Sequence, residues 1–154
     1  MIYLARREGS SPTTIRELAK KENYPVPYIE KIIQALRQAK LVTSHHGQQG
    51  GYSLAKKPSE ISLKEIIEAI EGSTFDVFCE PEVREGIVCT HICLCGAKSV
   101  WKKTKELLDH FYGSITLEML AKNPAEAIHL VANIDKVAPA ITASAGPSFG
   151  GQAG

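Results

Sequence analysis

The chain has 154 residues, 44% of them hydrophobic, with a formal net charge of +1. That suffices for one core, or for a small domain with an accessory helical part. No apolar run is long enough to span a bilayer and no signal peptide opens the chain: Met1 to Ala5 is too short, and Arg6-Arg7 follows it rather than preceding it. The expectation is a cytoplasmic protein without a membrane partner, whose four cysteines are reduced thiols, metal ligands or redox sensors rather than structural disulfides. Charge is unevenly placed. Residues 1–57 hold ten Lys/Arg against four Asp/Glu, or +6, and residues 58–154 hold eight against thirteen, or −5. A basic first third suits a polyanionic partner, although chance segregation gives the same count.

Ile2 to Arg7 reads as the end of a helix with Gly9 past its C-terminus. At most two turns of that helix remain, which suggests missing residues upstream; their loss would leave Leu36 and nearby apolar residues partly uncovered. Thr14-Ile15-Arg16-Glu17 fits a capping box that opens a helix through about Glu22, with Ile15, Leu18 and Ala19 inward. Asn23 to Val26 is a turn. Pro27 suits the first position of the next helix, where a missing N–H costs nothing. In that helix Ile29, Ile32, Ile33 and Leu36 form one apolar stripe, leaving Tyr28, Lys31, Gln34, Arg37 and Gln38 to face a partner. Leu41 to Ser44 and Tyr52 to Leu54 are short strands, and Gly47, Gly50 and Gly51 turn the chain between them. Helix, turn, helix and polar hairpin make a winged helix-turn-helix; an ordinary helical hairpin in a bundle is the alternative, and the wing and the local charge favour DNA.

Ser62-Leu63-Lys64-Glu65 is a second capping box, opening a helix through Glu71 that Gly72 ends, with Ile66, Ile67 and Ile70 inward. Phe75 to Gly96 has no long period. Ala97 to Tyr112 is the longest helix: Val100, Trp101, Thr104, Leu107, Leu108 and Phe111 form its apolar stripe, and Gly113 stops it. So heavy a stripe suits a copy of itself in a second subunit, or else its own domain. Thr116 caps a short segment, Leu117 to Lys122. After about Lys136 the composition turns to Ala, Gly, Ser and Pro, which cannot bury a core. The expected fold is thus mainly α with a small β wing. It divides into a winged helix-turn-helix domain (1–72), a cysteine-containing loop (73–96), a long dimerisation helix with its following segment (97–122) and an Ala/Gly-rich tail (123–154).

Cys79, Cys89, Cys93 and Cys95 fall within seventeen residues, beside His91. Thiolates on one short segment converge on a metal with little loop-closure entropy, and soft sulfur suits zinc or an iron–sulfur cluster. There is no C-x-x-C pair of the zinc-ribbon kind, and Cys93 and Cys95 are separated by one residue. Clustering favours a metal or redox centre over inert buried thiols. No enzyme motif is present: no nucleotide-binding Gly loop after a strand, no H-E-x-x-H, no nucleophile elbow, and GQQGG lacks a following Lys-Ser/Thr.

From about Ile2 to Leu120 the blocks TIRELAKKENYPVPYIEKIIQALRQAKLV, SHHGQQGGYSLAKKPSEISLKEIIEAIEG, CGAKSVW and GSITLEML stand in order around the cysteine loop. This arrangement resembles the iron–sulfur winged-helix transcription regulators typified by IscR and the nitric-oxide-sensing repressor NsrR. The resemblance implies a homodimer that binds double-stranded DNA at a palindromic operator. It also implies a 2Fe-2S or 4Fe-4S cluster on the loop, sensing iron–sulfur status, nitric oxide or redox stress. Cys79, Cys89 and Cys95 match the three family ligands. The five residues between Cys89 and Cys95 keep the family interval, and the nine between Cys79 and Cys89 exceed it. Lys98 stands where relatives offer a histidine, and a protonated lysine has no lone pair for a metal. The fourth ligand is then Cys93, our choice, or His91, a group from the partner subunit, or one from an upstream segment.

On the DNA side the resemblance places Tyr28 and Glu30 near the operator, with Gln48 in the wing. Pro27 stands where a serine is common. His46, preceded by His45, stands where the wing carries arginine, a permanent charge that histidine lacks; weaker or pH-dependent wing binding is expected, with plain solvent exposure the alternative. Lys31, Arg37, Lys56 and Lys57 are candidate phosphate contacts. Two further readings stay open: a DNA-binding regulator that uses direct thiol oxidation or zinc, and a small iron–sulfur redox protein.

Overall fold

The computed structural model describes residues 1–47, 50–75 and 95–122, together with 125, 128 and 129. Helix α1 (Ile2–Arg6) is short, and α2 (Ile15–Glu22) and α3 (Val26–Gln38) follow it. A hairpin of β1 (Val42–His45) and β2 (Gly51–Leu54) comes next, then a single 3-10 turn (Pro58–Glu60) and α4 (Leu63–Glu71). The long α5 (Gly96–Ser114) and the short α6 (Leu117–Lys122) complete the described chain. The architecture is the expected one, mainly helical with a small antiparallel wing.

Local chemistry explains each boundary. Thr14 caps α2 by accepting the Glu17 N–H at 3.2 Å. The reciprocal half of the expected capping box is absent. Glu17 turns instead to α1, where its carboxylate accepts the Tyr3 hydroxyl at 2.7 Å and pairs with Arg7; two side-chain donors outcompete one backbone N–H. Asn23 ends α2 in the left-handed conformation at φ 56°, which asparagine tolerates better than most residues. Pro25 is the N-cap of α3, so Pro27 occupies the second helical position rather than the first. The substitution is equally cheap there, because the first four N–H groups of a helix have no intrahelical acceptor.

Around Ser62 the capping box is complete: Ser62 Oγ accepts the Glu65 N–H at 3.1 Å and Glu65 Oε2 accepts the Ser62 N–H at 2.8 Å. Helix α5 runs through Gly113 to Ser114. One glycine only weakens a helix, and this one does not end it.

The core lies between α1, α2, α3, α4 and α6. Leu36, Leu41, Ile61 and Leu117 are at most 1% exposed, and Leu4, Leu18, Ile33 and Val42 join them. Leu36 is therefore fully covered, contrary to the expectation above: α1 brings Leu4 and Ala5 into the same cluster. The segment after α5 returns to this core. Leu63 donates to the Ile115 carbonyl and Leu117 to the Ile61 carbonyl, each at 2.8 Å. On α4 only Ile66 is buried; Ile67 is half-buried, and Ile70 is 39% exposed beside a groove of about 370 Å³. The 3.6-residue period put Ile70 on the inward face, but the core stops short of the C-terminal end of α4.

Candidate functional site

Burial of Leu18 and Ala19 on α2 and of Ile29, Ile33 and Leu36 on α3 locks the two helices together. The opposite face of α3 is left in solvent, where Tyr28, Glu30, Lys31, Gln34 and Arg37 are all exposed. Tyr28 has a neighbour in the turn before α3: the Tyr24 ring lies 5.2 Å from it, centroid to centroid, and both rings are about half exposed. Tyr24 is four residues before Tyr28, a spacing that would have flagged the pair had the turn been read as part of the partner-facing surface.

The wing is held at two levels. Val42 pairs with Leu54, Thr43 with Ser53, Ser44 with Tyr52 and His45 with Gly51. Thr13, in the linker before α2, exchanges two backbone hydrogen bonds with Tyr52 at 2.9 Å each and so adds an isolated antiparallel bridge to β2. Gly51 is needed for that contact, since a Cβ there would sit 2.7 Å from the Thr13 carbonyl oxygen. At Gly50 a Cβ would sit 2.6 Å from the His45 carbonyl oxygen.

His45 and His46 are exposed on the wing, and His45 Nε2 lies 2.8 Å from Ser53 Oγ. Lys56 and Lys57 are exposed nearby. Lys56 Nζ is 3.0 Å from Glu65 Oε1, so it is shared with α4; an exposed pair of this kind is worth little and yields readily to a phosphate. Burial raises the Glu65 carboxyl pKa, but the backbone N–H of Ser62, the strongest influence, and Lys56 outweigh it and hold the group below the usual carboxylate range. A cleft of about 670 Å³ between the wing and the α1–α2 linker is lined by Arg7, His45, Lys56 and Lys57, together with Glu8 and Glu60. Eight of the nine DNA-facing candidates, Tyr28, Glu30, Lys31, Arg37, His45, His46, Lys56 and Lys57, are thus described and exposed. Gln48 lies outside the described residues.

Of the four cysteines only Cys95 is described; Cys79, Cys89 and Cys93, with His91, lie outside, as does the tail after Lys136. Cys95 is half-buried, carries a free thiol and is the N-cap residue of α5. Among the described residues no three His, Cys, Asp or Glu side chains converge as a metal site. The entry of the cysteine segment is fastened to α5. Thr74 donates its hydroxyl to Asp109 Oδ1, and the Phe75 and Trp101 rings are 6.2 Å apart. Helix α5 buries none of its residues against the described chain: Val100 is 59% exposed, Trp101 42% and Leu107 40%.

The solvent-facing α3 and the wing pinned by Thr13 together make a winged helix-turn-helix. A family described as "Rrf2: Iron-dependent Transcriptional regulator" matches residues 1–123. The chain belongs to the Rrf2 family. Among its relatives, the transcriptional regulator CymR of Bacillus subtilis is 32% identical over 125 residues, covering 79% of this chain and 80% of that one. IscR of Xenorhabdus nematophila is 30% identical over 123 residues, covering 80% and 73%.

Solved Rrf2-type regulators share the fold. The structure described as CymR, the global cysteine regulator of B. subtilis, superposes with a TM-score of 0.60 at 32% identity, covering 78% of this chain and 85% of that one. That of T. potens IscR gives 0.56 at 27%, covering 96% and 85%. This Rrf2 chain is a winged-helix, DNA-binding transcription regulator and not an enzyme. No described helix is long and apolar enough to cross a membrane.

Proposed function

We propose that this Rrf2 protein acts in the cytoplasm as a homodimer on a palindromic operator, and that a thiolate-held iron–sulfur cluster sets its affinity. The observation that carries the reading is α5. A 19-residue helix with no buried residue requires a second apolar surface, and a two-fold copy of the same helix supplies one. Two heads placed by one pair of helices match two half-sites. On each head Tyr28 and Glu30 face base edges, where a glutamate accepts from a cytosine amine. Lys31, Arg37 and Lys56 contact phosphates, and His45 and His46 on the wing, with Gln48 as the further candidate, complete the DNA-facing set.

Donor chemistry supports the cluster. Cys79, Cys89 and Cys95, with Cys93 as fourth ligand, make a soft all-sulfur set suited to a 2Fe-2S or 4Fe-4S centre. Cys95 adjoins the N-terminus of α5, whose dipole favours an anionic thiolate-ligated group. Such a cluster, when bound, supplies a redox- and nitric-oxide-sensitive set of bonds across the segment. What the chain does with it is mechanical. Residues 73–96 connect α4, packed against the recognition helix α3, to α5. Ordering or releasing that segment shifts the head against the dimer axis, and a few kcal/mol of preference for one state suffices for a large change in bound population.

Anaerobic reconstitution with iron and sulfide, followed by visible spectra and DNA titration at several salt concentrations, tests this. The expected result is charge-transfer absorption and a steep salt dependence. A featureless spectrum would end the cluster reading while leaving the DNA reading intact. A second reading, control by thiol oxidation or zinc, draws on CymR, a relative whose structure is described as that of a cysteine regulator. Metal analysis separates the two.

A further inference from the structure

Asp109 joins three parts of the chain. It lies near the C-terminal end of α5, fourteen residues past Cys95 and so about 21 Å along the helix axis. Its two oxygens serve different elements. Oδ1 accepts the hydroxyl of Thr74, three residues after the last residue of α4, and Oδ2 lies 3.4 Å from Lys64 Nζ in the first turn of α4. Lys64 in turn has a second carboxylate within reach, Glu68 Oε1 at 3.5 Å, on its own helix.

This arrangement suits an exchange better than a permanent brace. One ammonium sits between two carboxylates, one across the α4–α5 interface and one within α4. Partial burial works against the Lys64 charge, but Asp109 and Glu68 together outweigh it and hold its pKa above the ordinary lysine value. If Asp109 turns away, Glu68 still neutralises Lys64 and no charge is stranded, so the tie between the helices opens at little cost. Side-chain exposures of 32%, 26% and 41% for Lys64, Asp109 and Glu68 agree, because pairs this accessible add little stability. The third bond, from Thr74, decides where Asp109 points. Thr74 is also the stem of the cysteine segment, and its neighbour Phe75 rests near Trp101 on the same helix.

Resting on the cluster-sensing reading above, we propose that Asp109 is a positioning residue: with Thr74 and Lys64 it forms the joint through which the state of the cysteine segment reaches α4 and the recognition helix packed against it. A pull on the stem breaks Thr74–Asp109, frees the carboxylate, passes Lys64 to Glu68 and loosens α4 from α5. Asp109 lies about 21 Å along α5 from Cys95, so it acts through its partners and not on the sulfur ligands.

The test uses the full chain and a duplex that the wild-type protein selects from a random-sequence library. Binding is measured metal-free and after reconstitution with ferrous iron and sulfide, for wild type, Asp109→Asn, Thr74→Val and Thr74→Ser. The ratio of the two dissociation constants is the coupling, expected on the order of tenfold in wild type. Thr74→Ser keeps the hydroxyl and should keep that ratio. Asp109→Asn and Thr74→Val should remain folded dimers that bind the duplex, with the ratio reduced to within about twofold of one. A readout without metal accompanies this: Trp101 is the single tryptophan, and its emission should move to the red in metal-free Thr74→Val but not in Thr74→Ser. A lower melting temperature with an unchanged ratio would mean a purely structural role and overturn the joint alone. Equal affinity of wild type in both metal states would overturn the joint and the sensing reading together.

Discussion

The reading head and the long helix are built from the same kind of amphipathic segment and finish in opposite conditions. In the head, Leu36, Leu41, Ile61 and Leu117 are at most 1% exposed. Along α5, by contrast, no residue is buried over 19 positions. The head closes its core with pieces from both ends of the described chain, α1 and α6 included. Helix α5 meets the head through α4 and then leaves its apolar side, Val100, Trp101 and Leu107, in solvent. The contrast separates two jobs. A head with a closed core of its own holds the exposed face of α3 and the wing as one unit. The proposed dimer and the proposed response to the cysteine segment both use the helix that is incomplete alone.

Leu117→Ala removes a fully buried side chain that seals α6 against the core and should destabilise the protein by about 2–5 kcal/mol in urea unfolding; a loss below about 1 kcal/mol would show that α6 is not part of the head's core. On the other side, Trp101→Glu with Leu107→Glu should leave the head's melting unchanged, make the protein monomeric in sedimentation, and weaken operator binding by roughly 10²-fold through lost bivalency. A double variant that stays dimeric would remove α5 from the interface.

Smaller effects sharpen the picture. Gly51→Ala places a methyl 2.7 Å from the Thr13 carbonyl oxygen and should cost about 1–3 kcal/mol, weakening DNA binding with no change in oligomeric state; unchanged stability and binding would show that the wing is not pinned there. Ser62→Ala removes the cap of α4, worth about 1 kcal/mol in thermal melting. Smallest is the effect of Glu65→Gln. Because the folded-state pKa of Glu65 lies below its ordinary 4.5, its ionised form stabilises the fold above that value, and the contribution is lost as pH falls through the folded pKa. The acid limb of a stability–pH profile should be flatter in the variant, and parallel limbs would contradict the assignment.

Much of the head was legible in the sequence because its signals are local. Ser62 and Glu65 sit three apart and do what that spacing implies, and the Ile29, Ile33, Leu36 stripe is buried as its period requires. The misreadings arose where a distant partner intervened. Glu17 has the capping spacing but is taken by Tyr3 and Arg7 of another helix. Ile70 has the inward phase but lies beyond the end of the core. Gly113 looks like a stop and is carried by the helix around it. The Asp109 joint was invisible for the same reason: Thr74 and Asp109 are 35 residues apart, and no periodicity links them. In the sequence, Tyr28, Lys31 and Arg37 of the DNA-facing set follow from the helical period, and Glu30 and the wing histidines from the resemblance. The exposure of the α3 members follows from the stripe on the other side of that helix, whereas Tyr24 beside Tyr28 emerged only from the folded turn.

In the proposed function, sulfur ligation by Cys79, Cys89, Cys93 and Cys95 alters how this head holds DNA. Fluorescence anisotropy of one labelled operator duplex, titrated anaerobically with the wild-type protein before and after removal of its iron, measures this directly. The two dissociation constants should differ on the order of tenfold or more. Two superimposable titrations, taken on protein whose visible spectrum confirms that iron was bound and then lost, would contradict it.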